Sequence, residues 1–130
     1  MLVRHIDDIK SSEHEVHAPN GNWTSRRMLL ASDGMGFSFH ETIIREGTET
    51  LIWYKNHLEA VYCVEGEGEI ETTVDGKVYA INPGTMYALN DHDRHLLRAS
   101  KTMRLICVFN PALTGGETHD AEGSYPPPAP

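Results

Sequence analysis

Turn chemistry recurs along these 130 residues at intervals too short for helices. "PNGN" (Pro19–Asn22), "SDG" (Ser32–Gly34), "REG" (Arg45–Gly47) and "EGEG" (Glu65–Gly68) come first. "DG" (Asp75–Gly76), "NPG" (Asn82–Gly84), "NDHD" (Asn90–Asp93) and "TGG" (Thr114–Gly116) follow. Glycine, proline, asparagine and aspartate supply the backbone angles and local hydrogen bonds that reverse a chain. Between them lie short β-type runs: "RRMLLA", "FSFHETII", "AVYCVE", "EIETTV", "KVYAI", "TMYALN", "HLLRAS" and "RLICVFN". Many short strands with even turn spacing predict an all-β sandwich or barrel. Asp75-Gly76, between "EIETTV" and "KVYAI", predicts a two-residue hairpin. Helix signal is confined to "IDDIKSSEHE", enough for one short helix, and "SYPPPAP" reads as an unstructured tail.

The length suits one domain with its own core. The formal net charge is -8, with no basic cluster to offset it. That disfavours nucleic acid and anionic membrane surfaces as partners. Cys63 and Cys107 each lie in an apolar run ("AVYCV", "RLICVF") and read as reduced core thiols rather than a disulfide. No apolar stretch approaches the ~20 residues of a membrane-spanning helix. "MLVRHIDDIK" has acidic residues where a signal peptide needs its apolar segment, which leaves the cytoplasm as the default.

Gly47, Glu59 and Gly66 stand at the spacing of a metal-binding β-barrel motif: a glycine, two spaced histidines, a glutamate, then a glycine. Trp53 and Lys55 occupy the histidine positions. Neither can ligate, because indole offers only an N–H donor and lysine is cationic. Gly76, Gly84 and the "NPG" turn fit a second motif whose histidine position holds Tyr87. The frame resembles the cupins, small jelly-roll β-barrels with a metal in the lumen. "NGNW", "GFSFH", "HLEAVYCVEGEGE", "DGKVYAINPG", "MRLICVFNPALTGGETHD" and "GSYP" resemble more closely one specialised cupin family, the ectoine synthases. The likeness runs from about residue 1 to residue 125, one cupin domain, with 126–130 left as the Pro-rich tail.

The resemblance implies an all-β, cupin-type jelly-roll barrel with at most one or two short helices. It implies a carbon–oxygen lyase, dimeric and associated with Fe(II), that cyclises N-γ-acetyl-L-2,4-diaminobutyrate to the osmolyte ectoine with loss of water. Carried over residue by residue, the metal ligands are Glu59, Tyr87 and His95. Oxygen and nitrogen donors of this kind suit a first-row divalent metal. The catalytic set is Tyr54, His95, Glu117 and His119. The substrate-binding set is Trp23, Arg27, Thr42, Tyr54, His57, Leu89, Phe109, Pro111, Glu117 and His119. Arg27 suits the substrate carboxylate through a bidentate fork.

Read without the resemblance, these residues keep plainer alternatives. Glu59 could be a surface residue of a half-exposed strand, Tyr87 and Phe109 core aromatics, and His95 an exposed turn residue. His40 in "GFSFH" reads as a satisfied core histidine. Glu117 and His119, two apart on an extended segment, would share one side and form a proton-transfer pair, or stand as a solvated loop pair. On a straight strand Tyr54 would face away from Glu59, so "WYKNH" must be a loop if Tyr54 serves the site. With two motif histidines missing, the competing function is a non-enzymatic small-molecule-binding cupin with a degenerate metal site.

Overall fold

The computed structural model describes residues 1–128. It is built on two long strands, β5 (Leu58–Thr72) and β8 (His95–Asn110), paired antiparallel from Leu58 opposite Asn110 to Thr72 opposite His95. The shorter strands are β1 (Glu15–His17), β2 (Trp23–Leu29), β3 (Ser38–Ile44), β4 (Glu49–Ile52), β6 (Val78–Ile81) and β7 (Met86–Leu89). Each half of the long pair takes its own neighbours. β3 lies along the second half of β8 and β7 along the first half of β5. β4 lies along the first half of β8 and β6 along the second half of β5. β2 and β1 extend the sheet beyond β3. The result is a bent antiparallel sheet that encloses a lumen, the all-β barrel architecture read from the turn spacing.

"EGEG" is not a turn. Residues 65–68 lie inside β5, where the register against β8 shifts three times between Cys63 and Gly68. Gly66 has φ +94, and a Cβ there would stand 2.2 Å from the Thr102 carbonyl oxygen. Only glycine lets the two long strands approach this closely while the sheet bends. The sequence runs before and after "EGEG" are thus one strand, as are "HLLRAS" and "RLICVFN". The "DG" turn does separate β5 from β6, but within a five-residue connection, 73–77, rather than the two-residue hairpin expected. β4, "ETLI", carries too short an apolar pattern to stand out in sequence.

Alternation sets what faces inward. On β5, Glu59, Val61 and Cys63 are buried, and on β8 His95, Leu97, Ala99, Met103, Leu105, Cys107 and Phe109. Each fully buried aliphatic side chain contributes about 1.5–3 kcal/mol. Both cysteines are free and buried. Outside, Arg26 bridges Glu15 (2.9 Å) and Glu41 (2.8 Å), and Arg104 bridges Glu41 (3.2 Å) and Glu65 (3.3 Å). Among the described residues, helix is limited to α1 (Ile6–Ile9) and a 3-10 turn at Ala31–Asp33. Among the described residues no helix is long and apolar enough to cross a membrane. Of the Pro-rich tail expected over 126–130, residues 126–128 are exposed and without regular structure. Residues 129 and 130 lie outside the described residues.

Candidate active site

Beyond β8 the chain returns as an irregular strap, residues 111–125, across the barrel. Hydrogen bonds tie it down along its length. Ser38 Oγ accepts from the Leu113 amide at 3.0 Å, and the Leu113 carbonyl accepts from Ala31 at 2.8 Å. The Gly123 carbonyl accepts from the Trp53 amide at 2.9 Å, and Tyr125 O accepts from the Asn56 side chain at 3.1 Å. Gly123 has φ +77, and a Cβ there would lie 2.2 Å from the Leu51 carbonyl oxygen. The strap therefore needs glycine where it meets β4.

Under the strap lies a cavity whose wall includes Trp23, Thr42, Tyr54, Glu59, Tyr87, Cys107, Phe109, His119 and Tyr125. β2, β3, β5, β7 and β8 each supply residues to it. Glu59 is 9% exposed and lies between Leu89 of β7 and Phe109 of β8. No cationic side chain pairs with it among the described residues. Burial pushes its carboxyl up to about 8, while the neighbouring Cys107 thiol acts the other way. An uncompensated buried carboxylate is costly, so it holds its proton or awaits a cation. Tyr87 lines the same cavity, its phenol raised by burial and by the Glu59 charge.

His95 follows the "NDHD" turn but is not exposed. It points inward at 1% exposure, on the inward face of β8 two residues before the cavity-lining Leu97. Its Nδ1 lies 2.8 Å from the Asp93 carbonyl oxygen. A carbonyl only accepts, so Nδ1 carries the proton and Nε2 is left as an unprotonated donor to a metal. Among the described residues no three His, Cys, Asp or Glu side chains gather as a metal would require. Any site using Glu59 and His95 therefore needs another kind of donor, and three tyrosines, Tyr54, Tyr87 and Tyr125, line the cavity with Glu59.

"WYKNH" is a loop between β4 and β5, which resets the alternation. Tyr54 turns inward and is buried, and its hydroxyl meets His119 Nε2 at 2.9 Å. Burial raises the phenol well above its ordinary range and lowers the His119 imidazole to about 4, with Arg27 adding to the latter. Both groups are neutral near pH 7. Trp23 packs on the His119 ring at 5.1 Å, and its buried indole N–H has no partner among the described residues. Trp53 and Lys55 pack on each other, with Nζ 4.6 Å from the indole ring centre.

Other expected site residues are placed elsewhere. Arg27 is 1% exposed, but its guanidinium donates to the carbonyls of Gly115 (2.8 Å) and Glu117 (2.7 Å) and to Ser25 Oγ (3.3 Å). It holds the strap instead of presenting a free fork. Glu117 and His119 do not share a side, because the strap is not a strand. The Glu117 carboxylate folds back to accept from the amides of Thr114 and Gly115, each at 2.7 Å. Burial would raise it, but these backbone donors outweigh burial and keep it low. His57 is buried behind Phe109 and Tyr125, with Nδ1 unpartnered among the described residues. Leu89 is buried outside the cavity lining, and Pro111 is exposed at the end of β8. His40 is a satisfied core histidine between Ser25 (3.2 Å) and Ser38 (2.8 Å). Sequence reasoning missed Tyr125. The "GSYP" segment gave no sign that its ring would stack on Tyr54, at 5.0 Å and 17°.

Known proteins resemble this chain in sequence and fold. The family model described as ectoine synthase matches residues 1–129. An L-ectoine synthase from Desulfatibacillum aliphaticivorans is 62% identical over 126 residues, covering 97% of each chain. The crystal structure of an ectoine synthase from P. lautus superposes with a TM-score of 0.84 at 56% identity, covering 88% of this chain and 81% of that one. A RmlC-like cupin from Shewanella frigidimarina, 19% identical, shares the fold alone, with a TM-score of 0.59 over 74% of this chain and 82% of that one. A full-length family match, this level of identity and the shared barrel lead to one conclusion: the chain belongs to the ectoine synthase family.

Proposed function

We propose that the strap-covered cavity closes N-γ-acetyl-L-2,4-diaminobutyrate into ectoine with loss of water. The observation that carries this reading is the contact of two neutral proton-transfer groups, Tyr54 and His119, in the cavity that also holds Glu59. In the reaction the α-nitrogen attacks the acetyl amide carbon, a C–N bond forms, and the amide oxygen departs as water. The ammonium substrate carries three N–H hydrogens and the amidinium product keeps one on that nitrogen. The other two travel to the departing oxygen, so no net proton is exchanged with solvent.

The cavity must first fold the substrate so that its ends meet, and a closed lumen does this by removing rotational freedom. Tyr54 keeps its own proton, so a proton accepted at its oxygen passes on to His119 Nε2. The imidazolium so formed gives that proton to the leaving oxygen and is neutral again before it carries the second. The Trp23 N–H, which has no partner among the described residues, is a donor that the cavity offers to the substrate's carboxylate, while Arg27 holds the strap. An unmade buried donor costs about 1–3 kcal/mol, and bound substrate recovers it for Trp23.

The donor chemistry also fits a divalent metal. Glu59 is a buried carboxylate without a counter-charge, and His95 is held in the tautomer that frees Nε2. Glu59, Tyr87 and His95 would hold Fe(II), which when bound supplies Lewis-acid polarisation of an oxygen. The enzyme so read is a cytoplasmic homodimer, a state that sedimentation of the purified chain measures. Incubating the protein with N-γ-acetyl-L-2,4-diaminobutyrate, with and without Fe(II), tests the activity directly. Ectoine is the expected product, and none in either tube would leave only the non-enzymatic binder.

A further inference from the structure

Tyr125 meets four aromatic rings around the site, those of Tyr54, His57, Phe109 and His119, and no step above uses it. It is 4% exposed and comes from the far end of the strap. One aromatic neighbour, Tyr54, stacks on it at 5.0 Å with the rings 17° apart. The guanidinium of Arg27 lies over its ring at 5.6 Å. Phe109 meets it edge-on at 5.5 Å, and the His119 ring lies 4.9 Å away, tilted by 49°. Phe109 also meets Tyr54 edge-on at 5.1 Å. Stacked and edge-to-face pairs of this kind contribute about 0.5–1.5 kcal/mol each beyond burial. The Tyr54 ring is thereby held by Tyr125 across its plane and by Phe109 at its edge.

Tyr54 needs such support because of where it sits. Its backbone belongs to a loop, and loop backbone alone does not fix a ring. Its hydroxyl must nonetheless meet an imidazole carried by the strap, 65 residues away in sequence. Tyr125 reaches both partners at once. Its own position is held by the Asn56 side chain on its carbonyl and by Arg27, which also grips the strap at Gly115 and Glu117.

We propose that Tyr125 is a positioning residue for the reaction, acting through Tyr54: its ring fixes the Tyr54 hydroxyl on His119 Nε2. This rests on the reading of Tyr54 and His119 as the proton-transfer pair. The role proposed is that of the stacked ring; the two phenol groups also interact, and Tyr125→Phe separates the one from the other.

Four variants of the full chain, loaded with Fe(II), test it: Tyr125→Phe, Tyr125→Leu, Tyr54→Phe, and Tyr54→Phe combined with Tyr125→Leu. Loss of placement by Tyr125→Leu is expected to lower kcat about tenfold or more, with KM changed about twofold at most. Tyr125→Phe should keep kcat within about twofold of the parent, because the stacking face survives. In the Tyr54→Phe background, Tyr125→Leu should cost less than about twofold more, since the contact it supports is gone. Independent of turnover, the ¹⁵N shift of His119 Nε2 should move in Tyr125→Leu in the same direction as in Tyr54→Phe, and stay put in Tyr125→Phe. Fully multiplicative losses, a Tyr125→Phe as poor as Tyr125→Leu, or an unmoved His119 shift in a folded Tyr125→Leu would each overturn the proposal. Should Tyr125→Leu lose its cooperative melt, Tyr125→Met takes its place. Full turnover by Tyr54→Phe would overturn the acid–base reading itself, and that arm reports on it separately.

Discussion

The hydroxyl of Tyr54 and Nε2 of His119 stand 2.9 Å apart, although one belongs to the β4–β5 loop and the other to the strap beyond β8. Both are neutral at physiological pH for the same reason, burial. Tyr54→Phe and His119→Ala are therefore each expected to lower kcat about 100-fold, the usual weight of positioned acid–base groups. His119→Ala should keep its bound iron, because the expected ligands lie on β5, β7 and β8. Metal analysis beside steady-state kinetics separates the two effects, and loss of iron from His119→Ala would place it among the ligands.

Glu59 is the buried carboxylate of the cavity. Glu59→Gln keeps its shape and removes the charge, so Fe(II) affinity should fall at least about tenfold and turnover with it. Isothermal titration of the stripped protein measures this. The parent itself should bind more weakly than a cupin with three histidines and a glutamate. Sub-nanomolar retention of Fe(II) by the parent would contradict a set limited to Glu59, Tyr87 and His95.

Two glycines should fail in different ways. Gly66→Ala drives a Cβ into the Thr102 carbonyl at φ +94, where the two longest strands cross the bend. It should cost about 2 kcal/mol or more, read as a lowered Tm. Gly123→Ala meets the Leu51 carbonyl at φ +77, but only the strap must shift. It should lower kcat strongly and move the melt less. Faster hydrogen exchange at residues 113–125 would show the cause.

His40 supplies a pH signature. Burial, with Arg27 nearby, lowers it from the ordinary 6.5 to about 3. It is neutral in the fold, whereas the unfolded chain takes up a proton below about pH 6.5. Its contribution is therefore complete above that pH and is lost as pH falls toward 3. The loss amounts to at most about 1.4 kcal/mol per pH unit. His40→Gln has no proton to gain. It should be less stable than the parent at pH 7, with a flatter fall in denaturant midpoint between about pH 6.5 and pH 4.

What the sequence by itself determined is periodic or local. Turn residues every few positions dictate short antiparallel strands, and alternation along β8 dictates that Cys107 and Phe109 face one way and Val108 the other. The glycine and glutamate frame around Glu59, with "NGNW" and "GGETHD", carries the family and with it the activity. The loop character of "WYKNH" was legible too, because a straight strand would have turned Tyr54 outward. Tertiary structure alone decided the rest. "EGEG" reads as a turn, yet two strands that pass within contact distance need glycine just as a turn does. Glu117 and His119 part company because the strap, clamped by Arg27 and the loops, follows no strand geometry. Arg27, legible as a cation, could serve a substrate carboxylate or the chain's own carbonyls, and only the path of the strap brings the carbonyls of Gly115 and Glu117 to it. Tyr125 carries no local pattern at all: its neighbours Arg27, Tyr54 and Phe109 are far from it in sequence, and long-range packing leaves no periodic trace in one segment.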